Sequence, residues 1–277
     1  MVNVKSLLCG PAEKYDVVSR AIMTGASVAH FDLEDSVPLS RKSATRAAIL
    51  KQLKHPIPIP TAVRINALNT QLGLEDILGF IHQNVAPDIM IVPKVESPET
   101  ARIAGDILKE HFPETRIFCV IESIKALKSL DRIILEPDFI QGMIFGAADF
   151  SGDMGKVPSA LDLTYAKTQI ALAANQINAV AIDSPCFQIH DVLRLETECL
   201  QARALGFHGK IAIHPGQVSR INQAFAPTEH EYTFSKNILD TLTGPDEREA
   251  SSIRTVGENM IGPPFIRIAE KIVKSME

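Results

Sequence analysis

The sequence predicts an α/β fold of the (β/α)8 barrel kind, and three observations predict it. Short β-branched or apolar runs alternate with longer amphipathic segments, the pattern of repeated βα units around a parallel sheet. Eight such runs can be counted, and 277 residues suit a closed eight-stranded barrel, for which about 250 residues is typical. The runs also end, one after another, on polar or charged residues, and in such a barrel the strand ends at one face build the active site. Two of these ends are carboxylates, Glu122 closing IFCVIE and Asp149 closing MIFGAAD. Two carboxylates at one barrel mouth can hold a hard divalent cation such as Mg²⁺, with water and substrate oxygens in the other positions.

The strands are expected at roughly Val4–Leu8, Val28–Asp32, Thr61–Ile65, Asp88–Val92, Arg116–Ile121, Ile140–Phe145, Ala179–Ile182 and Lys210–Ile213. Helix-length stretches lie between them, among them Glu13–Thr24, Arg41–Lys54, Pro98–Glu110, Ala160–Asn175 and Val192–Leu205. Punctuation agrees with these bounds. Gly25 and Gly206 follow helices as C-terminal glycines do, and Ser97-Pro98 opens one. Residues 1–225 make up the expected barrel. The tail 226–277, with Pro227, Gly244-Pro245 and Gly262-Pro263-Pro264 before an amphipathic stretch Phe265–Ser275, exceeds what a barrel needs. It is expected as a helical extension packing on the barrel or on a neighbouring subunit.

Composition excludes some classes. A net charge of −5, with no Lys/Arg block, argues against nucleic acid as a partner. Cys9, Cys119, Cys186 and Cys199 form no C-x-x-C pair, so reduced thiols and a cytoplasmic setting are expected. No apolar run approaches the roughly 18 residues needed to span a bilayer, and the first residues carry too short an apolar stretch for a signal peptide. A soluble protein with no membrane partner is the expectation. The eight histidines include no H-E-x-x-H pattern, and no G-x-S-x-G, P-loop or G-x-G-x-x-G is present. Zinc, serine hydrolysis, nucleotide hydrolysis and Rossmann cofactors therefore lack support.

The strand ends carry, in order, Asp32-Leu33-Glu34-Asp35-Ser36, Arg64 with Asn66, Lys94 with Glu96, Glu122, Gly146 with Asp149, Asp183, and His214-Pro215. Like charges at ~4 Å repel by on the order of 4 kcal/mol at an effective dielectric of 20. Converging acids therefore need a cation.

These stretches resemble the HpcH/HpaI aldolase/citrate lyase superfamily, in its citrate lyase β-subunit-like branch of acyl-CoA lyases. Phe31-Asp32-Leu33-Glu34-Asp35-Ser36-Val37 matches its "LDLEDAV", Val63-Arg64-Ile65-Asn66 its "VRVN", and Pro93-Lys94-Val95-Glu96-Ser97 its "PKVES". Ile121-Glu122-Ser123, Phe145-Gly146-Ala147-Ala148-Asp149-Phe150, Ala181-Ile182-Asp183 and Ile213-His214-Pro215-Gly216-Gln217 match "IET", "FGAEDL", "AID" and "IHPSQ". The resemblance runs in order from about Ser6 to Ile272.

The resemblance implies that Glu122 and Asp149 ligate Mg²⁺ and that Arg64 contacts the oxygens of a 2-oxo acid. A retro-aldol cleavage needs a Lewis acid and a fixed carboxylate clamp, which these groups suit. Gly146 would let the backbone N–H groups of Gly146, Ala147 and Ala148 approach a substrate carboxylate, or else serves only a tight strand-to-helix turn. Glu34 and Asp35 are candidates for the proton-transfer group or for holding the metal's waters, and Asp32 for orienting their loop. Lys14, Arg20, Arg41 and Lys42 either meet CoA phosphates or are solvated. The chain departs from the family where many relatives carry "MIDxP" and it reads Met260-Ile261-Gly262-Pro263-Pro264. The missing Asp implies C–C cleavage without malate synthase or thioesterase activity.

Taken together, these residues imply a Mg²⁺-dependent carbon–carbon lyase acting on a 3-hydroxy-3-carboxyalkyl thioester. Citramalyl-CoA is favoured over malyl-CoA and citryl-CoA, with a trimeric or hexameric homo-oligomer as the expected assembly. A class II pyruvate aldolase acting on free hydroxy-oxo acids is the alternative enzyme. A silent scaffold subunit is the third reading.

Overall fold

Eight parallel strands close into a barrel in the computed structural model, which describes residues 4–11, 16–240, 254–256 and 259–276. Lys14 and Gly244-Pro245 lie outside the described residues. The strands are β1 (Ser6–Pro11), β2 (Val28–Asp32), β3 (Thr61–Arg64), β4 (Ile89–Val92), β5 (Arg116–Ile121), β6 (Gly142–Phe145), β7 (Val180–Asp183) and β8 (Gly209–Ala212). Each pairs in parallel with the next, and β8 returns to β1 through the register Ser6 with Lys210. All eight expected strands are present, each within about two or three residues of its expected bounds.

The near-continuous apolar runs follow from burial on both faces. Along β2, Val28 points into the barrel with Ala62, Ile89, Ile91, Phe118, Val120, Ile144 and Ile182, while Ala29 and Phe31 face the surrounding helices. Period-2 alternation therefore places His30 and Asp32 on the inner side with Val28.

The helices of the barrel are α1 (Val17–Thr24), α2 (Lys42–Leu53), α3 (Gln71–Gln83), α4 (Pro98–His111), α5 (Ile124–Lys128), α6 (Leu130–Ile133), α7 (Ala147–Asp153), α8 (Thr164–Gln176), α9 (Val192–Ala204) and α10 (Pro215–Phe225). Local chemistry sets their ends. Asp16, Ser123 and Asp191 cap α1, α5 and α9 by accepting from Ser19, Ala126 and Arg194 N–H at 2.9, 3.0 and 3.0 Å. Gly25 ends α1 at φ 70°, which a side chain would oppose.

The chain divides into two compact units, residues 2–225 and 226–277 with Met1. In the second, α11 (Glu229–Asp240) packs with α12 (Pro263–Lys274) around Ile238, Ile261, Ile266 and Ala269. The tail is not wholly helical as expected, because β9 (Arg254–Val256) pairs antiparallel with β10 (Asn259–Ile261). Gly262 stands at the N-cap of α12.

Not every polar strand end serves a mouth. Asp183 and Lys210 are both fully buried and pair at 2.7 Å, with Lys167 3.0 Å from the same carboxylate. The two ammonium groups hold Asp183 below the usual carboxylate range even though burial alone would raise it. Breaking a buried pair leaves an uncompensated charge, so Lys210→Met should destabilise the protein by about 3 kcal/mol. Urea unfolding followed by circular dichroism checks this. An unchanged midpoint would mean that Lys167 alone compensates Asp183.

Candidate active site

The mouth begins at the end of β2, where Asp32 is almost wholly buried and accepts the N–H of Glu34 at 2.9 Å and of Ser36 at 3.0 Å. It thus orients the following loop. Lys42, buried on α2, ties the same loop down by donating to the carbonyls of Leu33 and Glu34, each at 2.6 Å, and to Asn66 Oδ1 at 2.7 Å. Its ammonium is fully committed, which removes it from the candidates for CoA phosphates.

Arg64 closes β3 opposite Asp32 in the strand register. Its Nε and Nη2 both donate to the Asp32 carboxylate, each at 2.7 Å. The guanidinium fork therefore grips a carboxylate of the chain itself, and only the Nη1 edge faces the remaining acids. Nη1 lies 3.3 Å from Asp35 and 2.8 Å from Glu34, the latter out of line for a hydrogen bond. Burial is the largest influence on Glu34 and pushes its carboxyl up to about 7, against the opposing pull of Arg64. Asp32, also buried, is nonetheless held well below the ordinary carboxylate range by the Arg64 guanidinium. One cation thus sets two neighbouring acids apart.

Glu122 follows β5, and its buried carboxylate accepts the Lys94 N–H at 2.7 Å. Desolvation raises its pKa. Asp149 does not close β6 as expected but stands in the first turn of α7, with its carboxylate partly exposed toward the same space. The Lys94 ammonium binds Asp149 directly and lies 3.6 Å from Glu122 Oε1. Lys94 reaches this position at φ 53°, in the left-handed region that a lysine rarely adopts. A positive charge held between two hard oxygen donors marks where a cation is wanted.

Gly146 is packed closely against Glu122. A Cβ there would stand 2.4 Å from Glu122 Cβ and 2.8 Å from its Oε2, so the absent side chain makes room for Glu122. The Gly146 N–H donates to Ile121 O at 3.0 Å and is not free for a ligand. Ala147 and Ala148 begin α7, where a first turn leaves N–H groups without intrahelical partners.

These residues surround a cavity of about 340 Å³ lined by Asp32, Asp35, Arg64, Glu122, Ala148 and Asp149 at its polar end, among others. Its deeper wall is aliphatic, with Ile91, Val120, Ile144 and Ile211. Cys9 and His30 interrupt that wall, and sequence reasoning passed over both. The signal for His30 was its spacing of two from Asp32, which fixes it on the inner face. Lys94 was seen as a strand end, but its bridge between Glu122 and Asp149 needs the fold to bring β4, β5 and α7 together. Glu96 instead accepts from Ser123 and pairs with Lys125 at 2.8 and 2.9 Å, and Asp183 is spent in the core.

Similarity to known proteins extends over nearly the whole chain. The HpcH/HpaI aldolase/citrate lyase family model matches residues 5–215. A citrate lyase subunit beta-like protein of Deinococcus radiodurans is 27% identical, covering 98% of this chain and 96% of its own. The mitochondrial citramalyl-CoA lyase of Homo sapiens is 24% identical, over 97% of this chain and 84% of its own. Among solved structures, the CitE protein of Mycobacterium tuberculosis in complex with magnesium, acetoacetate and coenzyme A is 25% identical with a TM-score of 0.77, covering 98% of this chain and 97% of that one.

The Gly146 contact yields a direct test. Gly146→Ala forces Cβ into Glu122 and should cost about 1–3 kcal/mol of stability, as overpacking does. A crystal structure of the variant should show the Glu122 carboxylate displaced. A thermal midpoint equal to that of the unmodified protein, with Glu122 unmoved, would remove Gly146 from the site.

Proposed function

We propose that this protein, which belongs to the HpcH/HpaI aldolase/citrate lyase family, is a Mg²⁺-dependent lyase. It cleaves the C–C bond of a 3-hydroxy-3-carboxyalkyl CoA thioester to give a 2-oxo acid and acetyl-CoA. The observation that carries this reading is the pair Glu122 and Asp149, gathered on one positive charge beside a cavity that Arg64 also lines, with the raised carboxyl of Glu34 2.8 Å from Arg64 Nη1. Both donors are hard oxygens, and the position is already one that a cation fills, so the residues fit Mg²⁺. Bound there, the ion supplies Lewis acidity to the hydroxyl oxygen that becomes the ketone.

The chain's own residues supply the rest. Arg64, braced by Asp32, presents Nη1 to the carboxylate of the acid half, and the N–H groups of Ala147 and Ala148 offer donors beside it. Glu34 takes the hydroxyl proton. The C–C bond then breaks, its electron pair passes into the thioester enolate, and Glu34 returns the proton to the enolate carbon to give acetyl-CoA. A carboxyl near 7 suits both transfers, since a base and its conjugate acid are then both accessible. Asp35, mostly exposed at the rim, holds water or substrate there.

Citramalyl-CoA is the favoured substrate. The aliphatic wall accepts its methyl group, whereas a second free carboxylate, as in citryl-CoA, would meet no free cation among the described lining residues. A homo-oligomer, with the tail of one chain at a neighbour's mouth, belongs to this reading. A panel of CoA thioesters and free hydroxy-oxo acids, assayed with Mg²⁺ and with EDTA, tests it. Cleavage of free acids alone would favour the class II aldolase.

Variants and pH test the site residues. Glu122→Gln or Asp149→Asn should abolish Mg²⁺ binding in calorimetry and lower kcat by on the order of 10² or more. Lys94→Met removes the competing ammonium, so Mg²⁺ should bind more tightly and raise the thermal midpoint by more than in the unmodified protein. Unaltered affinity would show that Lys94 does not hold the metal's place. Glu34 acts ionised, so kcat/KM should fall as pH drops through about 7, and Glu34→Gln should lose on the order of 10²-fold or more at every pH. Because burial raises Glu34 in the folded state, its ionisation opposes folding, and its contribution to stability should decline as pH rises from 4.5 to about 7.

A further inference from the structure

His30 is almost wholly buried, lines the catalytic cavity, and has no hydrogen-bond partner at either Nδ1 or Nε2. An unpaired buried imidazole is unfavourable, because both nitrogens give up water and receive nothing in return. It also departs from its surroundings, since Val120, Ile144 and Ile211 line the same cavity with aliphatic side chains. Its place is fixed. His30 lies two residues before Asp32 on β2, beside Cys9 on β1 and Ala62 on β3, so it sits one inward-facing layer below the Arg64–Asp32 pair. Two residues of strand correspond to about 6.6 Å.

A long thioester arm enters this barrel from the mouth, so only the acid half of the substrate can reach that layer. We propose that His30 is a specificity-determining residue that donates a hydrogen bond from one ring nitrogen to an oxygen of the 2-oxo acid half at the cavity floor. The inference rests on the lyase reading above and adds a contact which that reading does not use. Burial keeps the imidazole neutral, its pKa pushed down to about 4, so it offers one N–H and one lone pair and adds no charge beside Arg64. A neutral donor selects an oxygen without demanding a further carboxylate.

Calorimetry with pyruvate and Mg²⁺ on the unmodified protein, His30→Leu and His30→Gln tests this, with thermal unfolding of all three. His30→Leu should weaken pyruvate binding at least about tenfold. It should leave the thermal midpoint equal or higher, because the orphaned polar group is gone. His30→Gln, which keeps an N–H donor, should recover most of the affinity. A histidine that serves only packing would give the opposite pair of results, a lower midpoint and unchanged affinity, and would overturn the proposal. Equal pyruvate affinity in all three proteins would also overturn it, the imidazole then meeting water only. Should the unmodified protein fail to bind pyruvate with Mg²⁺, the choice of citramalyl-CoA and this inference fall together.

Discussion

Charge compensation at the barrel mouth is the constraint on which the rest of the site depends. Asp32, Glu34, Asp35, Glu122 and Asp149 converge there against Arg64 and Lys94. Two cations cannot neutralise five acids. The fold resolves the excess unevenly: Arg64 is given almost entirely to Asp32, Lys94 is shared by Glu122 and Asp149, and Glu34 is left to shift its own pKa upward. A site with a net deficit of positive charge attracts a divalent cation, and the acid left most desolvated becomes a proton acceptor near neutrality.

That arrangement costs the backbone something, and the cost falls where the function is. Lys94 stands in the left-handed region so that its N–H and its ammonium both reach Glu122. Strain of this kind persists only when the surroundings over-determine it. Gly146 makes a complementary concession, giving up a side chain so that the Glu122 carboxylate can lie against β6. The geometry of Glu122 is therefore set by residues that follow two other strands, β4 and β6.

Much of this was legible in the sequence, and the parts that were not share a cause. Strands buried on both faces read as apolar runs, so all eight appeared, and Val28–Asp32 and Arg116–Ile121 carried the observed bounds. Glu122, Asp149, Arg64, Glu34 and Asp35 stood out as polar residues interrupting those runs. What sequence could not supply was the partner of each group. The Arg64 fork was expected to meet a substrate and meets Asp32; Lys42 was a candidate for phosphates and clamps the loop; Asp183 read as a mouth acid and is paired in the core. Such pairings cross 8 to 55 positions of chain, so no local pattern encodes them. The strands β9 and β10 were missed for another reason: three-residue segments are too short to show a period.

The cavity also contains a pair that invites a different chemistry. Cys9 and His30 face each other across the β1–β2 register, the residue types of a thiol nucleophile and its base. Their environment is the reverse of what that chemistry needs. An activated cysteine requires a depressed pKa beside a protonated imidazole, whereas burial together with the nearby Asp32 charge holds the Cys9 thiol up at about 12. Burial likewise drives His30 down to about 4. Neither partner can supply the charge the other would need, so the pair stays neutral at any ordinary pH. Ionic chemistry in this cavity therefore belongs to its upper layer, which Asp35, Glu122 and Asp149 line. The lower layer is left to shape and to a single neutral hydrogen-bond donor.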